Sequence, residues 1–180
     1  MIDGPTAARD AVLVAVALVG GYLVGSIPTT RVVAPGARGP GWGFLARTVD
    51  LAKGVVPVAI GIVTWSWWIG LAAGLGAVIG ARWSAFGHQT AGRPAQAVGT
   101  LAGAAFTLAP PAGLISALLA AATLGAGRLA GRDARVASAT VGLASFPALF
   151  LVVHQDLARL AALLLLYLVA LLRVATIRGR

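Results

Sequence analysis

The residues able to do chemistry in this 180-residue chain fall in four short groups. The first is Gly25-Ser26-Ile27-Pro28-Thr29 with Arg31. A small hydroxyl beside glycine and proline can set Ser26 Oγ and unpaired backbone N–H groups at a helix end, which suits a phosphate or an oxyanion. A proline-terminated helix whose serine caps the break explains the same residues without a ligand. The second group is Arg38-Gly39-Pro40-Gly41-Trp42-Gly43 with Arg47, a stretch glycine-rich enough to read as loop. Gly39, Gly41 and Gly43 would let backbone amides converge on an anion while Arg38 supplies a forked donor, although a basic connector facing anionic lipid has the same composition. In the third group, Asp50-Leu51-Ala52-Lys53-Gly54, acid and base stand three apart on one helix face. They can pair at a membrane edge and leave the ammonium aimed at a polar ligand, or serve only as a snorkelling pair. The fourth runs from Arg82 through Gly87-His88 to Arg93, Gln96 and Thr100. There His88 offers a general base or a hydrogen bond to phosphate, and its structural alternative is a helix terminator.

Other chemistries are closed by composition. The chain has no cysteine, glutamate or asparagine, and its aspartates stand only at 3, 10, 50, 133 and 156. Disulfides, zinc–thiolate sites and thiol nucleophiles are therefore out, and an acid–base pair of carboxylates would need distant segments. The second histidine, His154, is expected on the opposite membrane face from His88, so no two-histidine metal site is expected.

The elements that must carry these groups are apolar. Hydrophobic residues make up 59% of the chain, charged ones 11%, and the mean hydropathy is +0.91, values that describe an integral membrane protein. Seven apolar stretches can be marked off at 11–28, 51–65, 67–86, 96–110, 112–127, 136–153 and 157–174. Several fall short of the ~20 residues that cross a hydrocarbon core, so short or paired helices are expected. Pro110-Pro111 reads as the turn of a hairpin between the fourth and fifth. With alternating spans, twelve of the fourteen basic residues fall on one side, leaving Arg9 and Arg159 on the other. That asymmetry predicts an outer amino terminus, a cytoplasmic carboxyl terminus and an odd number of spans. It also assigns the net charge of +9 to membrane orientation rather than to nucleic acid. The segment Met1–Asp10 lacks the positive cluster of a cleavable signal. Glycines four apart at 21 and 25, 70 and 74, 76 and 80, and 99 and 103 predict close helix packing. Trp65, Trp67 and Trp68 predict an interfacial aromatic belt on the outer side. The whole chain, 1–180, reads as a single transmembrane domain.

In their order along the chain these pieces resemble the bacterial acyl-phosphate:glycerol-3-phosphate acyltransferase family, the PlsY family of small seven-span membrane enzymes. The resemblance rests on GSIPT at 25–29, DLAKG followed by VVP at 50–57, GH at 87–88, VGT and a later LAP within 98–110, RVAS at 135–138 and RVATIRG at 173–179. It implies transfer of a fatty acyl group from acyl phosphate to glycerol 3-phosphate at the cytoplasmic face of the bacterial plasma membrane, giving lysophosphatidate for phospholipid synthesis. No cofactor or metal is implied, and no H-x-x-x-x-D pair is present. The implied principle is positioning and electrostatic stabilisation, with cations and amides cradling two phosphates. Carried over by motif, Ser26, Lys53 and His88 are the catalytic candidates. Arg38, Gly39, Gly41, Gly43, Asp50, Gln96, Thr100 and Ser138 are the candidates for holding substrate phosphate.

Two departures bear on activity. Where the family has G-S-G-N-x-G-A-T-N this chain has GPGWGFLART at 39–48, and where the family has G-G-K-G-V-A-T it has PAQAVGT at 94–100. The lysine of that second motif is Gln96, which donates a hydrogen bond but cannot offset a phosphate charge. The alternative reading is therefore a catalytically inactive relative that binds lipid or supports a membrane assembly. A small transporter is disfavoured, because span centres lack charge.

Overall fold

The computed structural model describes residues 4–29, 40–84, 94–131 and 133–171. These form seven helices and, among the described residues, no strand. In chain order they are α1 Gly4–Ser26, α2 Pro40–Thr64, α3 Trp67–Arg82, α4 Pro94–Leu108, α5 Pro110–Leu129, α6 Arg135–His154 and α7 Leu157–Leu171. The fold is all-α, with a helix over each expected apolar stretch. Two helices, over Thr6–Ser26 and Pro110–Leu129, are long and apolar enough to cross a membrane, and shorter apolar helices lie at 67–82, 97–108, 140–154 and 157–169.

Two expectations are corrected. The glycine-rich stretch read as loop is helical from Pro40 onward, because α2 starts there. Proline suits the first helical position, where its missing N–H costs nothing, and the helix propagates outward from a long apolar segment despite ~1 kcal/mol lost per glycine. Asp50 and Lys53 consequently sit about three turns inside α2 rather than at its start. PAQAVGT, which stands where the family has G-G-K-G-V-A-T, forms the beginning of α4, again with proline first. At Pro110-Pro111 the chain does break: Ala109 precedes α5, and the two prolines occupy its first positions, where neither needs a donor.

The contacts divide the chain into two compact units, residues 1–108 with 165–180, and residues 109–164. In the first, α3 is buried on nearly every side, as an all-apolar helix should be. Its partner α1 approaches backbone to backbone. A methyl group on Gly21 would lie 2.0 Å from the Ala73 carbonyl oxygen, and one on Gly80 would lie 2.1 Å from that of Tyr22. Gly21 and Gly25 thus lie on the backbone of Ala73 and Ala77, and Gly76 and Gly80 on that of Leu18 and Tyr22, and the gain is dispersion over a long seam. Helix α3 starts with Ser66 as N-cap, whose side chain accepts from the Ile69 N–H, and Trp67 Nε1 donates to the Leu108 carbonyl at 3.1 Å, tying the start of α3 to the end of α4. Trp65 and Trp68 stay about half exposed, as an interfacial belt requires.

In the second unit α5 packs on α6. Ser138 Oγ donates to the Ala120 carbonyl at 2.6 Å, and Gly142 faces the Ala120 methyl. Phe150 stacks with His154, ring centroids 4.7 Å apart, at the end of α6. Asp156 then opens α7 by accepting from the Arg159 N–H at 3.0 Å.

Candidate functional site

The polar cluster of the first unit is built where α1 ends. Pro28 withholds a backbone donor, so the helix stops at Ser26, and the chain folds across the side of α2. Here Thr29 is 0% exposed, while Asp50 and Lys53 are each 6% exposed. Charges buried this deeply need full compensation. Lys53 Nζ lies 3.2 Å from Asp50 Oδ1 and 2.5 Å from the Ile27 carbonyl oxygen. It also donates to Thr29 Oγ1, and that hydroxyl donates onward to Asp50 Oδ1.

An ammonium has three N–H donors. Ile27, Thr29 and Asp50 account for all of them. Of the two roles open to Lys53, the structure shows the pair with Asp50: its charge is turned inward, onto the segment that carries Ser26. Lys53 pulls Ile27 and Thr29 against α2, and Asp50 balances its charge.

Two further helices close the cluster. From α4, Thr100 Oγ1 donates to the Asp50 carbonyl at 3.1 Å, and Gly99 leaves room for the Asp50 Cβ, 3.1 Å from where its own Cβ would be. A Cβ on Gly54 would lie 2.0 Å from the Thr100 carbonyl oxygen. Thus D-L-A-K-G at 50–54 and V-G-T at 98–100 interlock residue by residue. From the end of α3, Ser84 Oγ donates to the Ser26 carbonyl at 2.5 Å, and Tyr22 Oη donates to that of Trp83 at 3.0 Å. Arg82, 2% exposed, brings a further cation into this helix end.

Of the candidates from sequence, Ser26, Asp50, Lys53 and Thr100 come together. Gly41 and Gly43 fall in the first turn of α2, and Gln96 in the first turn of α4. Ser138 belongs to the second unit, its hydroxyl engaged by Ala120. Arg38, Gly39 and His88 lie outside the described residues, as do Arg31, Arg93 and the 173–179 motif. Sequence reasoning assigned no role to Thr29, Ser84 or Tyr22. Thr29 had a signal, its place in GSIPT, but its partners are 21 and 24 positions away. Among the described residues no three of His, Asp and Glu are grouped to hold a metal ion.

Among the described residues, apolar helices gather one compensated polar cluster where the end of α1, the middle of α2, the end of α3 and the start of α4 meet. The chain belongs to the glycerol-3-phosphate acyltransferase family, the PlsY family, whose model matches residues 36–178. The match includes Asp50, Lys53, His88, Gln96, Thr100 and Ser138, and it begins after Ser26 and Thr29. No curated protein and no solved structure matches the chain. Membership makes glycerol-3-phosphate acylation the family activity to which the site must be related.

Proposed function

We propose that the chain is a multi-pass enzyme of the bacterial plasma membrane that transfers a fatty acyl group from acyl phosphate to glycerol 3-phosphate, with its active face cytoplasmic. The helices cross the membrane seven times, with the amino terminus outside. Support comes from the twelve-to-two division of basic residues and from large apolar side chains turned outward along the helices, among them Val12, Val16, Val63, Leu118 and Leu168, each more than half exposed. In water such faces would drive aggregation. In lipid they are the solvent-matched surface.

In the reaction, a hydroxyl oxygen of glycerol 3-phosphate attacks the acyl carbonyl, the bond from that carbonyl carbon to the phosphate oxygen breaks, and inorganic phosphate and lysophosphatidate leave. The chain's part is to hold two phosphates and the carbonyl in line. Ser26 Oγ meets the acyl phosphate. Gln96, in the first turn of α4, meets the acceptor phosphate at a helix N-terminus, where the dipole favours an anion, and Thr100 ties that helix to Asp50. Lys53 and Asp50 keep Ser26 in place, and His88 and Arg38 complete the cradle by family resemblance. The observation that carries the reading is the interlock of the 25–29, 50–54 and 98–100 segments, which brings three family motifs into one buried cluster.

The test is acyl transfer by the purified, detergent-solubilised chain from palmitoyl phosphate to radiolabelled glycerol 3-phosphate, with palmitoyl-coenzyme A as a second donor and Ser26→Ala as the control. Lysophosphatidate from palmitoyl phosphate alone, lost in Ser26→Ala, is the expected result. Product from the coenzyme A donor instead would overturn the donor assignment. A second reading, a relative that binds lipid without turnover, is favoured by the inward-turned Lys53 and by Gln96 in place of lysine. It is supported if the folded chain yields no product from either donor.

A further inference from the structure

The opposite end of the first unit carries another polar site. Along α2, Thr64 lies eleven residues beyond Lys53, roughly 16 Å at the helical rise. Here the turn at Trp65-Ser66 meets the start of α1, and between them lies a groove of about 500 Å³ lined by Arg9, Asp10, Thr64, Trp65, Ser66 and Trp68. Leu13, Val14 and Ile69 form its apolar side.

The hydroxyls of this groove are already engaged. Thr64 Oγ1 donates to the Ile60 carbonyl at 2.5 Å, and Ser66 Oγ accepts from the Ile69 N–H at 3.4 Å. The charges are not. Among the described residues neither Arg9 nor Asp10 has a hydrogen-bond or ion-pair partner, and as helix neighbours they diverge by about 100° around the axis, which keeps them from pairing with each other. One groove thus offers a forked cation, a carboxylate, two half-exposed indole faces and an apolar wall.

We propose that this groove binds the headgroup of a zwitterionic phospholipid, one carrying a phosphodiester and a primary ammonium. Arg9 takes the phosphate as a charge-assisted pair. Asp10 accepts from the ammonium, and the faces of Trp65 and Trp68 stabilise that cation through their ring quadrupoles. The glycerol and first methylenes lie on Leu13, Val14 and Ile69, where aromatic belts and lipid interfaces meet. An anionic phospholipid satisfies Arg9 alone and sets its charge against Asp10. The site is separate from the acyltransferase cluster, and the proposal does not depend on turnover.

Native mass spectrometry of the full chain in detergent tests it, with phosphatidylethanolamine, phosphatidylglycerol and soluble phosphoethanolamine as probes. Phosphatidylethanolamine should be retained about tenfold better than phosphatidylglycerol, the ratio expected for one charge-assisted contact. Arg9→Gln should lose most phosphatidylethanolamine, and Asp10→Asn should bring the two lipids level. Both positions are exposed, so the variants keep their helical content by circular dichroism, and Trp68→Leu gives an independent loss through the aromatic wall. Equal retention of the two lipids by the unmodified chain, or unchanged retention in Arg9→Gln and Asp10→Asn, would overturn the proposal. So would phosphoethanolamine binding as tightly as the lipid, which would make the groove a site for a soluble amine phosphate.

Discussion

Thr29 stands between Lys53 and Asp50, accepting a hydrogen bond from the ammonium and donating one to the carboxylate, although 24 and 21 positions separate it from them in the chain. A hydroxyl is suited to this place because it is donor and acceptor at once. The pair on α2 is joined through it to the segment that follows α1, so the charges fix a turn rather than merely neutralise each other.

Removing that hydroxyl should therefore loosen the turn. Thr29→Val keeps the shape and leaves two buried charged groups each short of a partner, a cost of about 1–3 kcal/mol. Thr29→Ser should recover most of it. Thermal unfolding of the purified variants in detergent, read beside acyl transfer, checks both, and a Thr29→Val protein as stable as the unmodified one would remove the bridging role.

The charges themselves should be coupled. Lys53→Met leaves the Asp50 carboxylate buried and unpaired, for which about 3–5 kcal/mol is expected. Asp50→Asn together with Lys53→Met should cost clearly less than the sum of the two single changes. A double-mutant cycle on unfolding midpoints measures the difference, and strict additivity would mean the pair does not act as a unit.

At Gly54 the limit is backbone against backbone. Alanine there meets the Thr100 carbonyl oxygen at 2.0 Å, so α4 must move away from α2 and the Thr100–Asp50 hydrogen bond is strained. About 3 kcal/mol is expected, the upper range for overpacking. Gly20→Ala, where nothing lies within 4 Å, should instead be neutral or stabilise the helix by up to ~1 kcal/mol. The contrast between two glycine-to-alanine changes, measured in the same detergent, separates packing from helix propensity.

Restoring a charge offers a test by gain. If Gln96 faces the acceptor phosphate, Gln96→Lys should raise kcat/KM for glycerol 3-phosphate by about tenfold or more, as a charge-assisted contact replaces a neutral one. The KM for glycerol 3-phosphate should carry part of the change. An unaltered KM and kcat in a folded variant would take position 96 out of the phosphate site.

How much could be read beforehand differs from residue to residue. Gly21, Gly25, Gly76 and Gly80 announced a close seam by their spacing alone, since small residues four apart make a flat stripe on any helix. That both stripes lie in one seam between α1 and α3 came only from the fold. The polar positions Ser26, Asp50, Lys53 and Thr100 stood out because ionisable and hydroxyl groups are costly among apolar residues. The stretch from Pro40 misled, because glycine content is a local signal and the helix is held by the long apolar segment that follows.

The amino-acid sequence by itself determined the apolar stretches that the described helices cover, their breaks at Pro28, Ser66 and Pro110, and the motifs that carry family membership. Hydropathy, proline geometry and capping act over a few residues and are written in the chain. Only the tertiary structure decided which way Lys53 points. Its acceptors at Ile27 and Thr29 arrive from the end of another helix, and a side chain with four rotatable bonds takes the direction in which its buried charge is compensated.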